Sequence, residues 1–214
     1  YVYTANFSPD SGNNGGNSSD DNDDTPSRRY VITMPQPPKP DNPVLAVVEL
    51  PVAVSGGKPA TGAADDGRTA AAIADAAKKP QAKVGGIAVQ YDAKTSLTYD
   101  GFSIVMQRAT LDRLIENKVK WLTLNTGIVD LTFDLAALKE IAASSTGDIT
   151  LTAKRETGLA GDALAAVGKR PAYRLSVDYT GKDGRAATVD SFGAGRVTVG
   201  LAYKPTATEI HMGE

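Results

Sequence analysis

Hydrophobic and polar positions alternate with period two along much of this chain, and segments of helical period interrupt the alternation. Residues 44–54 (VLAVVELPVAV) read as an apolar strand broken at Pro51. The turn Ser55-Gly-Gly-Lys58 follows, and Asp65-Asp66 offers a side-chain cap to a helix over residues 68–79, RTAAAIADAAKK. Gly85-Gly86 opens strand candidates at 87–91, 95–99 and 102–107. Thr110 then caps a short helix, TLDRLIENK, whose Leu111, Leu114 and Ile115 share a face. Residues 121–126 and 129–134 read as strands about a bend at Gly127. Asp134 caps the helix LAALKEIAASS, and Gly147 stops it. A strand at 149–155 and a weak helical turn at 161–168 come next. Strands at 173–180 and 187–192 flank the turn Gly181-Lys-Asp-Gly184, and a last strand covers 196–203, with Val197, Val199 and Leu201 on one face. The predicted class is α+β, mostly antiparallel strands with about four short helices. Several units share the order strand, capped helix, strand, but their lengths differ and no motif repeats, so no tandem array is predicted.

Upstream of Val44 the pattern disappears. Seven of the 12 prolines lie there, with six acids against three bases, while the remainder carries 20 bases and 19 acids. Residues 8–29 are Ser, Asn, Gly and Asp with almost nothing to bury, which predicts a flexible linker. Residues 35–43, PQPPKPDNP, favour polyproline II. Residues 1–7 (YVYTANF) alternate as a strand, with Tyr1, Tyr3 and Phe7 on one face. The expected organisation is therefore three-part. Residues 1–7 are the last strand of a preceding β-domain or a donated strand, 8–43 a linker, and 44–214 an α+β module. A start at Tyr1, with no basic and apolar leader behind it, reads as a piece of something longer.

Composition narrows the function classes. There is no cysteine, which removes disulfides, thiolate metal sites and cysteine nucleophiles. The one histidine, His211, lacks a second ligand at helical or hairpin spacing and reads as an exposed terminal residue. A net charge of −2 argues against a nucleic-acid or anionic-membrane binder, and no run of 18 apolar residues is present for membrane insertion. The acidic run at residues 20–24 lacks the glycine and glutamate of an EF-hand loop. Two sequons begin at Asn6 and Asn17, and carry meaning only in a chain exposed to a glycosylating secretory pathway. Gly56-Gly57 lacks the phosphate-loop spacing, and Gly193-Ala-Gly195 lacks the third glycine of a dinucleotide fingerprint.

Asp130, Asp134, Glu140, Asp178 and Asp190 could in principle supply a glycosidase pair. Asp134 has a capping role, however, and the others occupy solvent-facing positions. Aromatic residues make up 6%, with a single tryptophan, Trp121, in a setting (KWLTLNT) that reads as a core strand. No catalytic, cofactor-binding or metal-binding residue is assigned, and no cofactor is expected.

The tract from Val44 to Tyr203 resembles a module of large secreted surface proteins of Gram-positive bacteria, often found beside S-layer homology repeats. The resemblance lies in VAVSGGKPAT followed by RTAAAIADAAKK, in residues 122–142 within KWLTLNTGIVDLTFDLAALKEIAASSTGDITLTAKR, and in the Phe-Gly-x-Gly-x-Val-Thr-Val signature of residues 192–199. YVYTANF is similar to the final strand of small β-repeat domains that precede such regions. The resemblance implies a non-enzymatic structural, spacer or adhesive module, extracellular and associated with the cell wall. Its implied partners are neighbouring domains, other copies through strand pairing, and cell-wall or host glycan. Modules of this kind continue past the equivalent of Tyr203 with further strands, so the last strand is expected at an incompletely paired edge, with residues 1–7 as a partner. The alternative is a carbohydrate-binding accessory module of a surface enzyme, whose aromatic platform would be drawn from Tyr91, Tyr99, Tyr173 and Tyr179.

Overall fold

A computed structural model describes residues 42–55, 59–93, 95, 99–162, 165 and 170–201. The expected strand at 1–7, the acidic run, both sequons, Gly56-Gly57 and His211 lie outside the described residues, as do nearly all of the linker and most of the helical turn at 161–168.

The chain opens with β1 (Val44–Glu49), whose residues are alternately buried and exposed. Pro51 supplies no N–H to a ladder, and the run breaks there before β2 (Val52–Ala53). After β3 (Ala60–Ala64), α1 (Asp66–Ala77) starts where Asp65 accepts a hydrogen bond from the Arg68 N–H at 2.7 Å. A one-turn helix, α2 (Ala82–Gly85), leads into β4 (Ile87–Asp92). β5 (Gly101–Met106), α3 (Arg108–Glu116), β6 (Trp121–Asn125), β7 (Val129–Asp134) and α4 (Leu135–Ser144) follow. The chain then runs through β8 (Ser145–Glu156), β9 (Ala172–Gly181), β10 (Ala186–Thr188) and β11 (Val197–Leu201).

These strands form two sheets. The first has the order β1-β4-β6-β7-β11 and the second β10-β9-β8-β5-β3-β2. Both are mixed, which corrects the expectation of mostly antiparallel strands: β1 with β4, β4 with β6, and β3 with β5 pair in parallel. The reason is topological. The chain places a strand in the first sheet, then one in the second, then a helix, and repeats the cycle. β1, β3 and α1 are thus answered by β4, β5 and α3, and each element lies beside its counterpart. A helix between successive strands of one sheet returns the chain to the same end, so those strands run parallel. The third cycle departs because a tight reversal at Thr126–Ile128, with Gly127 at φ 85°, folds β7 back onto β6 within the first sheet. The repetition lives in topology, not in any shared motif.

One core serves both sheets. Val89, Tyr91, Leu122, Leu124 and Phe133 of the first sheet join Phe102, Ile104, Met106, Ile149 and Leu151 of the second. The helices contribute Ile73, Leu111, Leu114, Leu138 and Ile141.

Several boundaries differ from expectation. Thr110 does not cap α3, which begins earlier with Gln107 at the cap position. Gln107 makes no capping bond, and Asp148 of β8 accepts from the Arg108 N–H instead, at 3.1 Å. Gly147 does not stop α4. The helix ends at Ser144, the backbone turns extended at Ser145, and Gly147 lies inside β8, where the pairing with β9 shifts register between Ser145 and Ile149. Thr95 and Tyr99 lie outside any strand, because the chain between β4 and β5 is crossing from one sheet to the other. The strand expected at 187–192 shrinks to β10 for a similar reason: the chain leaves the second sheet to reach β11 in the first. On that path Gly195 presses on the first turn of α4, where an added Cβ would lie 2.2 Å from the Ala137 nitrogen. That contact accounts for a glycine there.

Candidate functional site

The carboxylates singled out from the sequence are dispersed. Asp134 caps α4, its Oδ1 accepting from the Ala137 N–H at 2.8 Å. Asp130 accepts from the Thr126 N–H at 3.2 Å, and so braces the β6–β7 reversal. Asp178 accepts from the Ser176 and Thr188 hydroxyls at 2.7 and 2.6 Å, which ties β9 to β10. Glu140 lies over Gly193, and Asp190 is exposed. Asp130 and Asp134 stand on one face of β7, but four residues of strand separate them by about 13 Å. Paired glycosidase carboxylates work across roughly 5–9.5 Å.

The tyrosines of the glycan-binding alternative turn inward. Tyr91 is fully buried, its hydroxyl 3.0 Å from that of Thr69, and burial pushes its pKa up to about 12. Tyr99 donates to the Thr126 carbonyl and packs against the core, and desolvation raises its pKa as well. Tyr173 and Tyr179 share a face of β9 with buried Val177, and both pack on the core. The core-strand reading of KWLTLNT holds for β6, the central strand of the first sheet, although Trp121 itself is not in the core. Leu122 and Leu124 take the buried face of β6, which leaves Trp121 half-buried on the outer one.

That outer face of the first sheet is the most distinctive surface. The register sets its residues in rows that run across the strands. One row begins with exposed Leu45 on β1, passes Ala88 and Trp121, and ends at Asp134. The next runs Val47, Gln90, Thr123, Thr132 and Thr198, with the Thr123 and Thr132 hydroxyls 3.0 Å apart. The third runs Glu49, Asp92, Asn125, Asp130 and Gly200. Although this row is acidic and one Asp92 oxygen is buried without a hydrogen-bond partner, no group of three potential metal ligands converges among the described residues. Leu45 and Val47 are 45% and 50% exposed, so the β1 end of the face is apolar and the middle is threonine-rich.

Sequence reasoning missed one polar pair. Arg113 of α3 grips Asp66 at the start of α1 with two bonds of 2.8 and 2.7 Å, and the Thr110 hydroxyl adds a third at 3.4 Å. The Arg113 hydrogen bonds hold the Asp66 carboxyl below its usual range. The partners are 47 residues apart, and no local pattern announces them. Their geometry is that of a clasp between helices.

Comparison with protein-family models, with curated proteins and with solved structures finds no match to this chain. Among the described residues no helix is long and apolar enough to cross a membrane.

Proposed function

We propose that this chain is a non-enzymatic structural module of a secreted bacterial cell-surface protein, a spacer or adhesive element held outside the cell in association with the wall. The observation that carries this reading is the use made of its polar side chains. Asp134 and Asp148 cap helices, Asp130 and Thr126 lock a strand reversal, Asp178 joins two strands, and Asp66 and Arg113 clasp two helices. Chemistry-bearing groups are thus committed to rigidity, which is what a load-bearing or spacing element needs. The outer face of the first sheet, with Leu45 and Val47 exposed, suits contact with a neighbouring domain. The resemblance of residues 122–142 and 192–199 to modules of S-layer-type surface proteins supports the same reading.

The test is retention on purified cell-wall sacculi, together with a glycan array. For a module whose wall association and adhesion run through neighbouring domains and other copies, the expected result is no saturable binding, and no difference between the parent chain and its Tyr99→Ala, Tyr173→Ala or Trp121→Ala variants. Saturable binding lost in any of these variants overturns the spacer reading in favour of a carbohydrate-binding module.

A further inference from the structure

Five large apolar side chains stand exposed among the described residues: Leu45, Val47, Val84, Val105 and Leu175. Three of them lie beside charge. Val84 is the most exposed of the five, at 82%, and sits on α2 next to exposed Lys83. Leu45 and Val47 stand on the same outer face of β1 as exposed Glu49.

The two surroundings have opposite sign. α2 belongs to a basic end of the molecule, where Lys78, Lys79 and Lys83 lie on the connection into β4, and Lys118 and Lys120 on the connection into β6. All five are exposed, and no acid occurs in residues 76–86 or 117–120. The two connections touch, since an added Cβ at Gly86 would lie 2.9 Å from Lys120 Cε. Lys78 is held by Asp75 at 2.7 Å. At the far end of the first sheet's outer face, the row of Glu49, Asp92, Asn125 and Asp130 is acidic.

We propose that the α2 end of one molecule docks on the β1 patch of a second copy, with Val84 against Val47 and Lys83 against Glu49. The proposal rests on the contact role assigned above to this outer face, and names the partner. Each surface offers one exposed valine beside one exposed charge, and the charges are complementary. Apolar contact supplies the gain on burial, while the lysines facing the acidic row steer and orient the encounter.

The contact has to pass between molecules. Gly86, which ends α2, meets the start of β1, where its carbonyl accepts from the Val44 N–H at 3.0 Å. Glu49 stands five residues further along β1, about 17 Å away. The docking surfaces therefore sit at opposite ends of the same strands. Because they differ, the contact is heterologous: every copy keeps a free α2 end or a free β1 patch, and the association continues as an open row of modules. A contact built on two short segments is small, so association is weak and rises with concentration.

Light scattering and sedimentation of the full chain test this. Average mass should rise with concentration at about 0.01 M salt and return to that of the monomer at about 1 M, where charges are screened within ~3 Å. Lys83→Gln/Val84→Ser removes one surface and Val47→Ser/Glu49→Gln the other. All four positions are exposed, so each variant should keep the parent's melting temperature and remain monomeric at low salt. An equimolar mixture of the two variants retains one intact contact and should form a one-to-one complex that grows no further. A parent that stays monomeric at low salt overturns the proposal and leaves the spacer reading to the sacculus test. Association that salt does not weaken, that survives in either variant, or that fails to return in the mixture overturns it as well.

Discussion

Tyr91 shows how a residue that looks like surface chemistry becomes part of the scaffold. Its ring lies wholly within the core, and its hydroxyl meets Thr69 Oγ1, which itself lies 2.7 Å from the Asp65 carbonyl. The chain thus satisfies a buried phenol with the first turn of α1. Burial raises the pKa to about 12, against an ordinary tyrosine value of about 10 in the unfolded chain. A raised folded pKa means that the contribution is intact below pH ~10 and is lost as pH rises towards ~12, because the unfolded chain releases its proton first. Two pKa units correspond to roughly 2.7 kcal/mol at most. Stability of the parent chain should therefore fall more steeply between pH 10 and 12 than that of Tyr91→Phe. Urea titrations across that range measure it, and equal slopes would show that Tyr91 ionises as freely folded as unfolded. The inward position of Tyr91 was only partly legible. IAVQYD alternates, so Ile87, Val89 and Tyr91 had to share a face, but which face met the core depends on the other sheet.

Elements were legible where their signals were local. Asp65 and Asp134 cap α1 and α4 as expected, since an N-cap needs only a carboxylate three residues ahead of a free N–H. The break at Pro51 and the reversal at Gly127 are equally local. Boundaries set by distant partners were not readable. α3 starts at Arg108 because Asp148, 40 residues on, accepts its N–H, and the Arg108 side chain returns to the Ser145 carbonyl and hydroxyl. The start of β8 and the start of α3 are therefore mutually fixed. Asp148→Ala should cost about 1 kcal/mol, the usual worth of an N-cap, whereas Gln107→Ala at the nominal cap position should cost little. Chemical denaturation of the two variants checks this. The opposite order would mean that Gln107 caps the helix in solution. Candidate chemistry followed the same division: the capping role of Asp134 was readable, while the Asp66–Arg113 clasp and the Asp178–Thr188 tie depended on topology.

At the scale of the molecule, the chain crosses between sheets after nearly every strand of its first two cycles, and this has an energetic consequence. β1, β4 and β6 of one sheet alternate in sequence with β3 and β5 of the other, so neither sheet can be removed as a contiguous piece. Both contribute inward faces to one core, together with α1, α3 and α4. Unfolding either sheet exposes the apolar face of the other, and loss should be all-or-none. Ile104 offers a test, because it is fully buried in the second sheet, while Trp121 reports from the outer face of the first. Ile104→Val removes one buried methyl and should cost about 1 kcal/mol. The denaturation midpoint read from Trp121 fluorescence should shift by the same amount as the midpoint read from far-UV circular dichroism. Should the Trp121 midpoint stay in place while the other moves, the sheets unfold independently. The shared core would then be too weak to make this module a single mechanical unit, and a spacer built from it would yield one sheet at a time.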